Sequence, residues 1–306
     1  MTAFHELIDP AAELRLIGSG YQFTEGPVWV AAENCLYFSD IPGDTRWRWT
    51  ENGGMEVALT PTFKGNGMAL DNDGHLLVCE QVSSCLVRFR KTGERELVAF
   101  HYRCKYLNSP NDVVTRGLDG SIYFTDPDYG RWNDWIGCER TKDASSTVSG
   151  LGFRGVFRVP PDGGELELVV DEGEFDEPNG LCFSPDESLL YVNDSGARNV
   201  KVFDVAPDGS LGKSRLVHEG IGSGVPREGN VDGMECDELG NVWVTGPGGV
   251  WVLAPDGEHI GTVPAPEVVG SHCWGGSDMR SLFLMTSTTV HVVKTRVGPA
   301  PLPPLA

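Results

Sequence analysis

The chain is short of basic residues: 24 Lys and Arg face 44 Asp and Glu, a formal net charge of −20. A surface of that sign repels polyphosphate and anionic lipid, which argues against nucleic acid or membrane partners. No run approaches the roughly eighteen apolar residues that a spanning helix requires. The N-terminus lacks a basic start followed by an apolar stretch, so no secretory leader is expected. The eight cysteines include no CxxC pair. Cys35, Cys79, Cys182 and Cys236 lie in or beside apolar runs, where a thiol acts as a small buried hydrophobe. Reduced thiols and a cytoplasmic location are therefore the expectation. GxSxG is absent, which removes the usual sign of a serine hydrolase elbow. GSGVPREG and GPGG are Gly-rich, but they lack the strand–loop–helix setting of a phosphate loop. Nor does any segment sustain a helical period.

What the chain has instead is repetition. Six polar residues each head a short apolar run: Glu25 in EGPVW, Asn66 in NGMAL, Asn111 in NDVV, Asn179 in NGLCF, Asp232 in DGMEC and His272 in HCWGG. They are spaced 41, 45, 68, 53 and 40 residues apart. A second apolar run follows each turn: CLYFSD, HLLVCE, SIYFTD, LLYVND, NVWVTG and SLFLMT. A period near forty with several strands per repeat marks a β-propeller, one blade per repeat. The spacing predicts an all-β, six-bladed propeller of four-stranded blades, one domain over residues 1–306. The last repeat is one strand short, and ELRLIG at 13–18 is placed to supply it and close the ring.

Two segments stand outside the pattern. Residues 127–154 form a long insertion in the third blade, and its Tyr129, Trp132 and Trp135 offer stacking surface of the kind binding loops carry. Residues 298–306 form a Pro-rich tail expected to lie extended on the surface.

Equivalent positions in a propeller fall on a ring about the axis. Glu25 and Asp232 would bring two carboxylates there, and Asn111 and Asn179 two amide oxygens. A carboxylate buried without a partner costs several kcal/mol. A total of −2 balances a divalent cation, and oxygen-only ligands favour calcium, magnesium or manganese. Each residue taken singly could equally cap a strand end. Four at equivalent positions favour a metal in the central channel.

TEGPVW, NSPNDVV, GSIYFTDPDYG, EPNGLCFSPDESLLYV and VDGMECDELGNVWV together resemble the gluconolactonase branch of the senescence-marker-protein (regucalcin) family, over almost the whole chain. The resemblance implies a six-bladed propeller with one catalytic divalent cation on its axis. Calcium is the first candidate, with zinc, magnesium and manganese as alternatives. Glu25, Asn179 and Asp232 would ligate it, with Asn111 in or near the ligand set. The chain departs from the family pattern at Asp128 in TDPDYG, at Gln81 in CEQ, and at Ser271-His272. These changes bear on substrate choice more than on the metal.

The implied chemistry is metal-assisted hydrolysis of a small sugar lactone. The cation polarises the carbonyl, and Asp232 draws a proton from water. A carboxylate beside a cation is a weakened base, so a hydroxide on the cation is the rival nucleophile. Asn111, Tyr129 and His272 are the candidates for substrate contact, and His272 also for proton shuttling. Two other functions are compatible with the same ring. One is a phosphotriester or other ester hydrolase resembling diisopropylfluorophosphatase; the other is a non-catalytic calcium-binding propeller.

Overall fold

The computed structural model describes residues 3–131 and 151–301. Strand follows strand because apolar and β-branched residues alternate between Gly, Asp and Asn turns. Six four-stranded antiparallel sheets result. The first contains Thr24–Val30, Cys35–Asp40, Thr45–Thr50 and Gly54–Leu59, in that order. The innermost strands of the next four are Gly65–Leu70, Val113–Thr115, Pro178–Phe183 and Met234–Cys236. The sixth runs from Ser271–Gly275 outward to Thr289–Lys294. Its outermost strand is Arg15–Ser19, with Arg15 opposite Val292. The expected closure by the N-terminal segment is thus present, and it pairs an edge that would otherwise be open. Among the described residues, helix is confined to Phe4–Leu7 and one turn at Tyr129–Arg131. No helix there is long and apolar enough to cross a membrane.

Successive side chains on a strand point to opposite faces, and each blade is covered on both. Middle strands therefore read as unbroken apolar runs, such as Val242–Gly246 and Ser281–Thr286, which are buried at every position. The buried residues fall into six clusters, one for each seam between neighbouring blades. The seam between blades one and two is the thinnest, with Met68, Val78 and Val87 its fully buried members. Beside it the buried Arg46 guanidinium lies 4.4 Å from the centre of the Phe89 ring, a cation–π contact in a dry setting. The seam that closes the ring is the most aromatic. There Phe283 stacks on Trp29 at 5.6 Å and meets the edge of Trp49 at 5.4 Å.

The tail departs from expectation over its first residues. Gly298 accepts a hydrogen bond from the Glu238 amide at 3.0 Å, and the Ala300 amide donates to Cys236 at 2.8 Å. Free carbonyls and amides beside the short strand Met234–Cys236 give the chain a partner there, so 298–300 dock along its end. Trp132 and Trp135 lie outside the described residues, as do 302–306.

Phe283 is almost wholly buried at the seam that joins first and last blades. Phe283→Ala is expected to cost about 3–5 kcal/mol, read as a lower urea midpoint with an unchanged slope. A loss below about 1 kcal/mol would mean that the closing seam contributes little.

Candidate active site

In three of the blades the ladder breaks beneath the polar head. In blade one the register shifts between Glu25 and Val28, in blade two between Gly65 and Met68, and in blade four between Pro178 and Leu181. A bulge inserts a residue and re-aims the side chain beside it. A glycine after four of the heads then lets the neighbouring blade come close. A Cβ at Gly26 would sit 2.0 Å from the Asn66 carbonyl oxygen, and one at Gly180 2.1 Å from that of Asp232. Repeated EG, NG and DG pairs thus record a backbone contact between successive blades.

A second repeated residue fixes the segments that lead into these strands. Asp40, Asp126 and Asp194 end the second strands of blades one, three and four, and each accepts backbone amides from the approaching chain. Asp40 takes those of Gln22 and Phe23, Asp126 those of Asn108 and Ser109, and Asp194 those of Asp176 and Glu177. Each clamp lies within three residues of Glu25, Asn111 or Asn179.

The heads converge on a cavity of about 360 Å³ at one end of the axis. Glu25, Asn66, Asn111, Asn179 and Asp232 line it, together with Gln81, Tyr129, Ser195 and Asn230. Asn179 donates its amide hydrogen to Ser195 Oγ at 3.0 Å, which turns its carbonyl oxygen away from Ser195. Ser195 in turn donates to the Val231 carbonyl at 2.6 Å, tying the head of blade four to that of blade five. Tyr129 is held by its hydroxyl among Ser195 and Asn179, and burial raises its pKa.

Among the described residues, no Lys, Arg or His lines this cavity. Burial, followed by the charge of Asp232, pushes the Glu25 carboxyl well above its ordinary range. Asp232 is raised by burial and then by the charge of Asp112. Glu25 Oε2 accepts the Gly26 amide at 2.6 Å, but buried Oε1 has no hydrogen-bond partner. Two like-charged groups with an orphaned oxygen and two neighbouring amides make a donor set suited to a hard divalent cation. Among the described residues, no three His, Cys, Asp or Glu side chains are grouped to hold a metal. A cation here therefore needs the amides of Asn111 and Asn179 beside the two carboxylates.

His272 is not brought to this cavity. In blade six Trp274 lies opposite Leu282 as Trp29 lies opposite Leu36 in blade one, so the place of Glu25 falls to Gly270, whose amide donates to the Met285 carbonyl, and His272 stands two residues beyond it. His272 lines a separate cavity of about 310 Å³ further along the axis, with Asp112 and Glu235. Burial lowers its pKa to about 3, leaving a neutral ring unsuited to passing protons near pH 7. Gln81, singled out in the sequence as a departure bearing on substrate choice, lines the cavity, whereas sequence reasoning had not singled out Ser195, Asn230 or the carboxylate of Asp112. Asp112 fills the place that glycine holds after four other heads, and that break in the pattern was its only signal.

The Asp128 departure also has a partner. Arg154 binds Asp128 at 2.8 Å and Glu177 at 3.0 Å, linking the turn that bears Tyr129 to the strand that bears Asn179.

Two facing carboxylates without a counter-charge should destabilise the cation-free protein. In chelator-stripped protein, Glu25→Gln is expected to raise stability by about 1–2 kcal/mol. The wild type should gain thermal stability on addition of calcium, and the variant should not. An equal gain in both would remove Glu25 from the ligand set.

Comparison with known proteins places this architecture. The family profile described as the SMP-30/Gluconolactonase/LRE-like region matches residues 23–288. A gluconolactonase from Zymomonas mobilis is 33% identical over 95% of this chain and 83% of its own length. The pentonolactonase XacC of Haloferax volcanii is 26% identical, covering 89% of this chain and 84% of that protein. A solved structure of a gluconolactonase from Xanthomonas campestris is 31% identical with a TM-score of 0.80, over 94% of this chain and 90% of that one. Repeat by repeat and over most of its length, the chain belongs to the SMP-30/gluconolactonase/LRE-like family.

Proposed function

We propose that the chain is a lactonase that hydrolyses a neutral sugar lactone at the axial cavity. One observation carries the reading: oxygen-bearing side chains from successive blades meet there around two carboxylates that lack a counter-charge. The gluconolactonase and pentonolactonase names of its relatives supply the reaction class.

Glu25, Asn111, Asn179 and Asp232 would hold the divalent cation, calcium first, with zinc, magnesium and manganese as alternatives. When bound, such a cation supplies Lewis-acid polarisation of the lactone carbonyl. Asp232 accepts the proton of the attacking water. It keeps some surface open to the cavity, whereas Glu25 is more deeply buried and held by the Gly26 amide. Water oxygen bonds to the carbonyl carbon, and the ring C–O bond then breaks. Asp232 returns its proton to the departing ring oxygen, leaving an open-chain hydroxy acid. Asn111 and Tyr129 hold the substrate hydroxyls, and the Ser195 network keeps Asn179 and Tyr129 in place.

The reading of a neutral substrate rests on the lining among the described residues, which offers an anion no cationic partner. Bringing a phosphate beside two carboxylates costs several kcal/mol, so 6-phosphogluconolactone should be opened at least about 100-fold less efficiently than gluconolactone.

The decisive assay is turnover of an aldonolactone panel by chelator-stripped protein, with and without each cation restored. Cation-restored turnover above the spontaneous rate is expected, and Asp232→Asn should lower kcat by at least about 100-fold while the circular dichroism spectrum is unchanged. Background rates for every lactone with cation demonstrably bound would overturn the reading.

A further inference from the structure

Five of the six blades bring a polar head to the cavity, and the sixth brings none. Where blade six meets the ring, the chain reads Val268, Val269, Gly270, and both valines line the cavity. Gly270 admits no side chain, since a Cβ there would lie 2.6 Å from Glu25 Oε1 and 3.0 Å from the Thr24 carbonyl oxygen. Phe23 and Ile41 of blade one and Val231 of blade five adjoin the valines. The lining is therefore two-sided. Hydrogen-bonding groups, Asn66, Gln81, Asn111, Tyr129 and Ser195, come from blades two to four, while the described lining from the blade-six side is the hydrocarbon of Val268 and Val269, with Phe23 and Ile41 of blade one, between the carboxylates of Glu25 and Asp232.

From this polarity, and resting on the lactonase reading, we infer that the preferred substrate is a deoxyaldonolactone. Its ring hydroxyls meet the polar arc, and its terminal carbon is a methyl group seated against Phe23, Ile41, Val268 and Val269. A terminal hydroxyl seated against these four side chains must give up water, and none of the four offers a donor or acceptor in return. An apolar pocket rejects an added hydroxyl only moderately, by a factor on the order of ten to a hundred. The discrimination is therefore a ratio between matched substrates and not an absolute exclusion.

D-Fucono-1,4-lactone and D-galactono-1,4-lactone differ only at that position, a methyl against a hydroxymethyl group. With the calcium-loaded full chain, kcat/KM should favour the fucono compound by about tenfold or more. Val268→Thr and Val269→Thr each place a hydroxyl on the apolar side at nearly constant volume and should bring the ratio toward unity. The two positions serve as checks on each other, because the part-exposed Val268 tolerates change where the fully buried Val269 is tightly packed. A wild-type ratio at or below one, with both lactones hydrolysed, overturns this inference and leaves the lactonase reading standing. So does a wild-type preference that neither threonine variant alters. If neither lactone nor any other aldonolactone is turned over with cation bound, the lactonase reading falls and takes this inference with it.

Discussion

Glu25 and Asp232 are held together at the propeller axis in a cavity that no cationic side chain lines among the described residues, and this juxtaposition governs how the site is built. Like charges out of water push apart, so the groups that hold them must be rigid. The rigidity comes from the backbone. Bulges turn three of the heads inward, the glycine after a head lets the neighbouring blade touch, and Asp40, Asp126 and Asp194 each hold two approaching amides. Hydrogen bonds from neutral amides to carboxylates rank among the stronger protein contacts. The same residue type thus serves two purposes. At the ends of second strands an aspartate is saturated with donors, and at the heads a carboxylate is left with oxygen to spare.

The energy behind this arrangement lies in the seams. Each blade shares one apolar cluster with each neighbour, so the ring is as strong as its thinnest contact and its closing contact. Closure is double. Arg15–Ser19 completes the last sheet, and Phe283 locks between Trp29 and Trp49 of the first. Once closed, no blade can tilt without opening a seam, and the heads keep their spacing. A site that stores repulsion needs such a frame.

Much of this was legible in the chain. Repeat spacing revealed the blades, the short sixth repeat revealed that the N-terminus closes it, and Glu25, Asn111, Asn179 and Asp232 do share one cavity. His272 shows where pattern reading stops. It heads an apolar run as the others do, but Trp274 pairs with Leu282 as Trp29 pairs with Leu36, which gives the place of Glu25 to Gly270 and leaves His272 two residues past it. Register is a property of two strands together, and one strand's residues do not disclose it. Ser195 and Asn230 were missed for a related reason. Ser195 follows the end of a second strand and Asn230 stands where the chain approaches a blade, both outside the apolar runs that mark the repeats. The tail looked like a free Pro-rich segment because composition cannot show that Met234–Cys236 leaves backbone groups for it to pair with.

Blade three is where the sixfold pattern bends most, and its irregularities belong together. Its head is followed by Asp112 instead of glycine, its second strand leads into Asp128 and Tyr129, and the insertion begins beyond them. Asp128 alone would be one more carboxylate near an already acidic mouth. Arg154, at the point where the chain returns to its blade, binds both Asp128 and Glu177. One guanidinium thereby neutralises part of that charge, closes the base of the insertion and joins blade three to blade four beside Tyr129 and Asn179. Its partly exposed pairs contribute modest stability. Their geometric effect is larger, because the Tyr129 hydroxyl can meet Ser195 and Asn179 only while the two blades keep this spacing. The cavity is polar on the side where blade three was elaborated and apolar on the side where blade six was left without a head. Two local departures from one repeat give a symmetric frame a site with distinct sides.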